Sequence, residues 1–359
     1  MTAGGRSPLR KSQEFSVKRT AEVHSMMVIH QGALGDFILA LPALRTLRKA
    51  FPKAKSVIMG YPRILELVEK RVYADEILSV DQKGMASFFV RGGDLDPPLS
   101  KFFSTFDVIV FFGKDAEGIV LSNLKRVCEG RILHINSFPP WNERIHLTDY
   151  LLRQLQRLHF STEEHVPRLF LTAADQAWGR GFYRRKGLTE KERARAIILH
   201  PGSGSKKKAW PVERFLDLMQ SFQKRLASPI LIILGPAEGA EVQKAFEGVQ
   251  WDMGVHAPVL LKELSLLGLA SVMEGCKLYV GNDSGITHMA AALGLPTVAI
   301  FGPTDPMVWS PKGKTVAVVR AEAPCSPCSQ EKFFQCQQIE CLHEVGLEDV
   351  LKEIEKLGI

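Results

Sequence analysis

Residues 280–306, VGNDSGITHMAAALGLPTVAIFGPTDP, restrict the possible folds more than any other stretch of the chain. The apolar run 278–280 predicts a strand, 281–286 a polar glycine-containing turn, and 287–293 a short helix. Gly294 stands where a helix ends, Pro296 blocks its continuation, and 297–301 supplies a second apolar strand. A turn that enters a helix from the carboxyl end of a parallel strand aims unpaired N–H groups at whatever fills the crevice. Those donors suit a phosphate or diphosphate. Asn282, Asp283, Ser284, Thr287 and His288 crowd this turn, more polar side chains than a plain connection needs. The stretch predicts an anionic-ligand site.

The same alternation runs through the rest of the chain. Apolar strands are expected over 26–30, 56–59, 107–112 and, more weakly, 132–135. Ile38, Leu41, Leu44 and Leu47 mark one face of a helix over 37–50, and helical spacing returns over 145–159. From about 173 to 195 the pattern turns polar and basic, which predicts an interdomain region. A second series follows: strand 196–200, glycine turn 201–205, helix 212–226, strand 230–234, turn 235–239, helix 240–246, and the 278–306 unit. The closing stretch 346–357 reads as an amphipathic helix. Strands alternating with helices predict an α/β protein of two doubly wound, Rossmann-like halves facing across a cleft. The expected divisions are a leader over 1–24, an N-terminal domain over 25–175 and a linker over 176–195. A C-terminal domain over 196–342 and a terminal helix within 343–359 complete the chain.

At 359 residues and 45% apolar content, the chain can bury two cores of ordinary size. It has no run of eighteen uninterrupted apolar residues, and its basic start, MTAGGRSPLRKSQEFSVKRT, lacks the apolar segment of a secretory signal. These features predict a disordered leader and a cytoplasmic protein. The net charge of +7 suggests an anionic partner, and the surplus gathers over 180–208. No helix-turn-helix, zinc-finger or aromatic-basic pattern accompanies it, so nucleic acid is not expected. An anionic membrane surface or a negatively charged glycolipid fits the charge. So does an exposed linker kept soluble by its charges over Arg180–Arg195.

Four further constellations carry candidate chemistry. In GALGDFILALPALRTLRKAFP (32–52), Asp36 stands at a helix start, either as a cap for backbone N–H groups or as a general base facing the cleft. In LHPGSGSKKKAWPVERF (199–215), Gly202 and Gly204 permit close backbone approach, while Ser203 and Ser205 add hydroxyl donors. Lys208, just before Trp210-Pro211, can neutralise a diphosphate, whereas Lys206 and Lys207 read as a solvated loop. In LGPAEGAEV (234–242), Glu238 either accepts from ribose hydroxyls or is an ordinary acid in a helix's first turn. Cys325, Cys328, Cys336 and Cys341 suit either a zinc site or free thiols with a redox-sensitive pair. Within the opening turn, Asp283 orients N–H groups, bridges to ligand or forms an Asx turn. His288 either touches phosphate or is a satisfied helix histidine.

Taken together and in order, GALGDFILALPALR, LHPGSGSKKKAWPVERF, LGPAEGAEV and GNDSGITHMAAALGLPTVAIFGPTDP resemble the ADP-heptose:lipopolysaccharide heptosyltransferases, glycosyltransferase family nine. The resemblance runs over nearly the whole chain from Met26. It implies a GT-B fold whose last helix often crosses back to the N-terminal domain. It also implies an inverting, metal-independent transfer, without cofactor, from ADP-heptose to a heptose or Kdo hydroxyl of the lipopolysaccharide inner core. By resemblance Asp36 matches the catalytic base, Lys208 the diphosphate-binding lysine and Glu238 the ribose-binding acid. Asp283, Ser284, Gly285, Ile286, Thr287 and His288 match the phosphate-binding turn, with Ser284 where Thr is common and Ile286-Thr287 where Leu-Ser or Leu-Thr is common. Such an acceptor implies work at the cytoplasmic face of the inner membrane. Members with other donor sugars, and nucleotide-sugar 2-epimerases of the same architecture, are the alternatives.

Overall fold

The computed structural model describes residues 22–226, 228–235, 238–249 and 257–359. Most of the expected leader, 1–21, lies outside the described residues, as do Pro236 and Ala237 of the 234–242 turn. Residues 22–24 lead straight into the first sheet: the His24 amide donates to Asp107 (2.8 Å), and the Lys55 amide to the His24 carbonyl (2.8 Å).

Two all-parallel sheets carry the fold. The first comprises β1 (Ser25–His30), β2 (Lys55–Gly60), β3 (Glu76–Ser79), β4 (Val108–Phe112) and β5 (Arg131–Ile135), in the order β3-β2-β1-β4-β5. The second comprises β6 (Ile197–His200), β7 (Ile230–Ile233), β8 (Val259–Leu261), β9 (Leu278–Asn282), β10 (Thr297–Ile300) and β11 (Val316–Val319). Its order is β11-β10-β9-β6-β7-β8. In β1, Val28 sits in register with Ile58 of β2 and Val110 of β4. Helices cover both faces of these strands, so their side chains are apolar on both sides, as in β4, where every residue is buried. Strand order reverses between β1 and β4 in the first sheet and between β6 and β9 in the second. Crevices open at the carboxyl ends of strands at such points.

All strands of the first sheet precede all strands of the second, so the chain crosses between halves once, over 158–172. The crossing is tethered by the Leu169 amide to the Ala292 carbonyl (2.9 Å) and by the Tyr73 hydroxyl to the Arg168 carbonyl (2.6 Å). One apolar core joins the halves, running from Leu41 and Leu44 of helix Leu34–Ala50 to Met289 and Ala290 of helix Gly285–Ala292. Ion pairs reinforce the seam, including Arg71 with Asp175 (2.6 Å) and Lys312 with Asp149 (2.6 Å).

Two expectations are corrected here. The basic stretch 176–195 is not a bare connection but helical and packed along one stripe, although Arg184, Arg185, Lys186, Lys191 and Arg195 are exposed as expected. Helix Ala173–Arg185 packs on helix Leu266–Met273 of the C-terminal half. Its Tyr183 is fully buried and donates to the Val272 carbonyl (2.9 Å). Arg193 is buried too, its guanidinium held by Glu190 and Glu274. Buried cations need such partners, and the sequence spacing concealed them because Glu274 lies far along the chain. Nor does the terminal helix, Leu347–Lys356, cross back to the N-terminal half. Val350, Leu351 and Ile354 join the C-terminal core with Val298, Ile300 and Val319. Each such buried side chain contributes roughly 1.5–3 kcal/mol, an upper figure against a fully extended chain. That contribution fixes the helix on its own sheet.

Candidate active site

The two crevices face each other, and of the candidate residues Asp36 and Lys208 line the cavities there. In the N-terminal half, β1 ends at His30 and helix Leu34–Ala50 begins after a short turn. Asp36 occupies the third helical position, where one carboxylate oxygen accepts the Ala33 amide (3.3 Å). Capping is therefore part of its role. It also lines a cavity of about 310 Å³ with His30, Gln31, Phe112, Lys114 and Ser137, at the point where strand order reverses. Burial raises the Asp36 carboxyl above its usual range. The Ala33 N–H and the Lys208 ammonium reverse only part of that rise, and Asp283 adds to it. His30 is held neutral by burial, with a pKa of about 4.

In the C-terminal half, β9 leads into helix Gly285–Ala292. Ser284 caps that helix by accepting the Thr287 amide (3.4 Å), which leaves the Gly285 and Ile286 amides as first-turn donors. Asp283 accepts from the Lys208 ammonium (2.9 Å) and from the Thr304 hydroxyl (2.5 Å), so it holds the lysine in place. Ser203, expected as a donor to ligand, instead donates to the Asp283 carbonyl (2.9 Å) and ties two turns together. Lys207, expected in a solvated loop, donates to the Phe333 and Phe334 carbonyls (2.8 Å each). Thr287 is buried, its hydroxyl shared with Ser284 (3.1 Å) and Tyr279 (3.0 Å).

Glu238 is buried beside His200 (Oε1 to Nε2, 3.3 Å) and accepts the Gly235 amide. Burial works to raise its pKa, but the His200 ring and the N–H donors outweigh it and hold the carboxyl below its usual range. Gly202 makes room for it, since a Cβ there would lie 1.3 Å from Glu238 Oε1. The other His200 nitrogen reaches Ser284 (3.3 Å) and Tyr279 (3.1 Å), so one imidazole links Glu238 to the cap of the phosphate turn. His288 is not a satisfied helix histidine. It is buried, its Nδ1 lacks a partner among the described residues, and burial lowers its pKa to about 4.

The helix N-termini of the two halves meet. A Cβ on Gly285 would stand 2.8 Å from Leu34 Cβ and 3.0 Å from the Gly35 amide nitrogen, while one on Gly35 would stand 3.1 Å from His288. Glycine at these places brings Asp36 and Lys208 to one larger cavity of about 880 Å³ between the halves, with Arg144, Thr304 and Asp305 also in its wall. Arg144 spans the halves to Asp305 (2.7 and 3.1 Å). Thr304, His200, Lys114 and Arg144 were not singled out in the sequence. Thr304 and His200 stand within the quoted motifs, at strand ends, and that position was their available signal. Nothing local marked Lys114 or Arg144.

Cys325, Cys328, Cys336 and Cys341, read from the sequence as a zinc site or free thiols, lie near one another. All four are free thiols, and among the described residues no three His, Cys, Asp or Glu side chains are arranged to hold a metal. Cys341 is buried in the C-terminal core, which with the neighbouring thiols pushes its pKa up to about 11. Cys336 donates instead to the Gln338 carbonyl (2.9 Å).

The chain is similar to known proteins in part of its sequence and in its fold. Lipopolysaccharide heptosyltransferase 1 of Pseudomonas aeruginosa is 39% identical over 75 residues, 21% of this chain and 21% of that protein. The match thus spans about a fifth of that relative's length. A family 9 glycosyl transferase from Veillonella parvula superposes with a TM-score of 0.75 at 22% identity, over 94% of this chain and 98% of that one. The ADP-heptose lps heptosyltransferase II of E. coli superposes with a TM-score of 0.68 at 17% identity, over 93% and 98%. The fold is therefore GT-B, two Rossmann-like domains across a cleft. The profile of glycosyltransferase family 9 (heptosyltransferase) matches residues 138–337, more than half of the chain and including Lys208, Glu238 and the Asp283–His288 turn. By that match the chain belongs to glycosyltransferase family 9 (heptosyltransferase).

Proposed function

We propose that the chain is an inverting glycosyltransferase that moves a heptose from ADP-heptose onto a hydroxyl of the lipopolysaccharide inner core. One observation carries the reading: the Asp36 carboxylate, with its raised pKa, belongs to the walls of both cavities, the second of which it shares with Lys208. A base between an acceptor pocket and a diphosphate cradle is what a direct displacement requires. Asp36 takes the proton from the acceptor hydroxyl as that oxygen attacks the anomeric carbon from the face opposite ADP. The bond from that carbon to the diphosphate oxygen breaks with its electron pair, through an oxocarbenium-like transition state. Lys208 and the Gly285 and Ile286 amides stabilise the charge gathering on the leaving diphosphate, with Asp283 and Thr304 fixing the lysine. Glu238, oriented by His200, accepts from the ribose hydroxyls. The ammonium and the helix N-terminus together supply the positive potential a divalent ion gives elsewhere, so the transfer runs without metal or other cofactor.

The name of the E. coli structural neighbour supports ADP-heptose as donor. A glycolipid acceptor brings the enzyme to the cytoplasmic face of the inner membrane. The test is purified protein with a panel of nucleotide sugars and truncated core lipids, with and without EDTA, and mass spectrometry of the products. Heptosylated core lipid in both arms is expected. Transfer of another sugar replaces the donor, turnover without any acceptor points to an epimerase, and loss with EDTA removes the metal-free mechanism.

A further inference from the structure

Among the described residues, the three most exposed large apolar side chains are Trp141 (96%), Phe334 (69%) and Met307 (61%). They come from three separate segments of both halves, yet two of them line one cavity and the third belongs to a segment that forms part of its wall. Trp141 and Phe334 stand at the opening of the larger cavity, and Met307 lies between Asp305 and Val308 of the same wall. Further rings back them: Phe138 packs on Trp309 (5.8 Å) and Phe333 on Phe334 (5.9 Å). Single exposed apolar residues need no explanation, but a convergent group ringing one opening does.

Cations stand among these rings. Lys114 lies over Phe138 (5.5 Å), Lys207 lies over Phe333 (5.6 Å) while donating to the Phe333 and Phe334 carbonyls, and Arg144, paired with Asp305 but itself largely exposed, is on the same wall. Exposed Trp, Phe and Met interleaved with Lys and Arg match the chemistry of an anionic bilayer interface. There the rings enter the headgroup layer and the cations meet lipid phosphates. The basic stretch 180–195, the other candidate for such a contact, lines neither cavity and turns Arg193 inward.

We infer that the cleft mouth, through Trp141, Met307 and Phe334, docks on an anionic phospholipid surface. The surface so used faces the cavity toward the membrane, and an acceptor headgroup enters past the aromatic rim toward Asp36. The inference rests on the proposed reading of a membrane glycolipid as acceptor, and it assigns the surface that reaches it.

The test is co-sedimentation with phosphatidylcholine vesicles, with and without phosphatidylglycerol, in the absence of donor and acceptor. The full chain should bind the anionic vesicles and weaken as salt rises. The W141A/M307A/F334A variant should bind at least about tenfold more weakly, since burying even one such side chain is worth that much, with its thermal midpoint unchanged. Equal binding by variant and parent, or no binding by the parent, overturns the inference. So does a parent dimer in sedimentation velocity that the variant abolishes, because the patch would then cover a second copy. Vesicle binding without heptose transfer would sink the proposed reaction and leave the docking surface standing. Transfer to a water-soluble core oligosaccharide without vesicle binding would do the reverse.

Discussion

The two halves solve the same geometric problem and reach opposite chemistry. Each sends a strand into a helix where its sheet's order reverses, and each places an acid close to the helix cap, Asp36 inside the helix and Asp283 before it. In the N-terminal half the capping position is Ala33, which has no side-chain acceptor. Asp36 reaches back to the Ala33 amide, and among the described residues no cation pairs with its carboxylate directly. In the C-terminal half Ser284 does the capping, and Asp283, one residue earlier, is paired with Lys208 and Thr304. One half leaves a desolvated carboxylate that can take a proton. The other neutralises its carboxylate and presents an ammonium and free amides. Where the acid sits relative to the cap, and whether a lysine meets it, decides between a base and an anion cradle.

Three substitutions test that contrast, beginning with the largest expected effect. Asp36→Asn keeps the shape and removes the proton acceptor, so turnover should fall about 10²- to 10⁴-fold while ADP affinity by calorimetry stays near the parent value. Near-parent turnover would take Asp36 out of the reaction. Lys208→Ala leaves Asp283 without its cation, and ADP should bind about ten- to a hundredfold more weakly, as expected for a lost charged hydrogen bond. The same change should move the acidic limb of kcat/KM to higher pH. A base works only when ionised, burial already raises the Asp36 pKa, and Lys208 opposes that rise. A limb that stays put, or moves down, would show that the two groups do not sense each other. The smallest effect belongs to Gly285→Ala at the meeting of the two helix starts. Its methyl would press on Leu34 and Gly35 and cost about 1–3 kcal/mol, read as a fall of a few degrees in thermal midpoint. An unchanged midpoint and unchanged turnover would mean the halves do not depend on that contact.

Central strands and the helices between them were legible because burial on both faces leaves unbroken apolar runs such as Val108–Phe112. Of the four edge strands, β5 was expected over 132–135 and the other three were not. β3, β8 and β11 have three or four residues each and half-exposed side chains, too short and too mixed for a periodicity to emerge. Helix Ala173–Arg185 was hidden by its charges, because its buried stripe of Gly179, Phe182 and Tyr183 is narrow. Within the site, motifs marked Asp36, Lys208 and Glu238 as candidates; the structure places Asp36 and Lys208 in the wall of one cavity and buries Glu238 beside His200. The pairing of Lys208 with Asp283, and of Glu238 with His200, was not legible, since the partners come from different strand ends and no spacing rule joins them. The rim residue Trp141 was missed for a related reason: one aromatic residue in a proline-rich loop carries no pattern of its own.

Because the terminal helix stays on its own sheet, each half is one uninterrupted piece of polypeptide, linked to the other through 158–172 alone. The molecule is thus divisible at a single cut. Two fragments parted within that segment each contain every strand of their sheet, and their reassembly would depend on the apolar seam, ion pairs and hydrogen bonds between them. Cleaving the chain there separates the question of what joins the lobes from the question of what folds them.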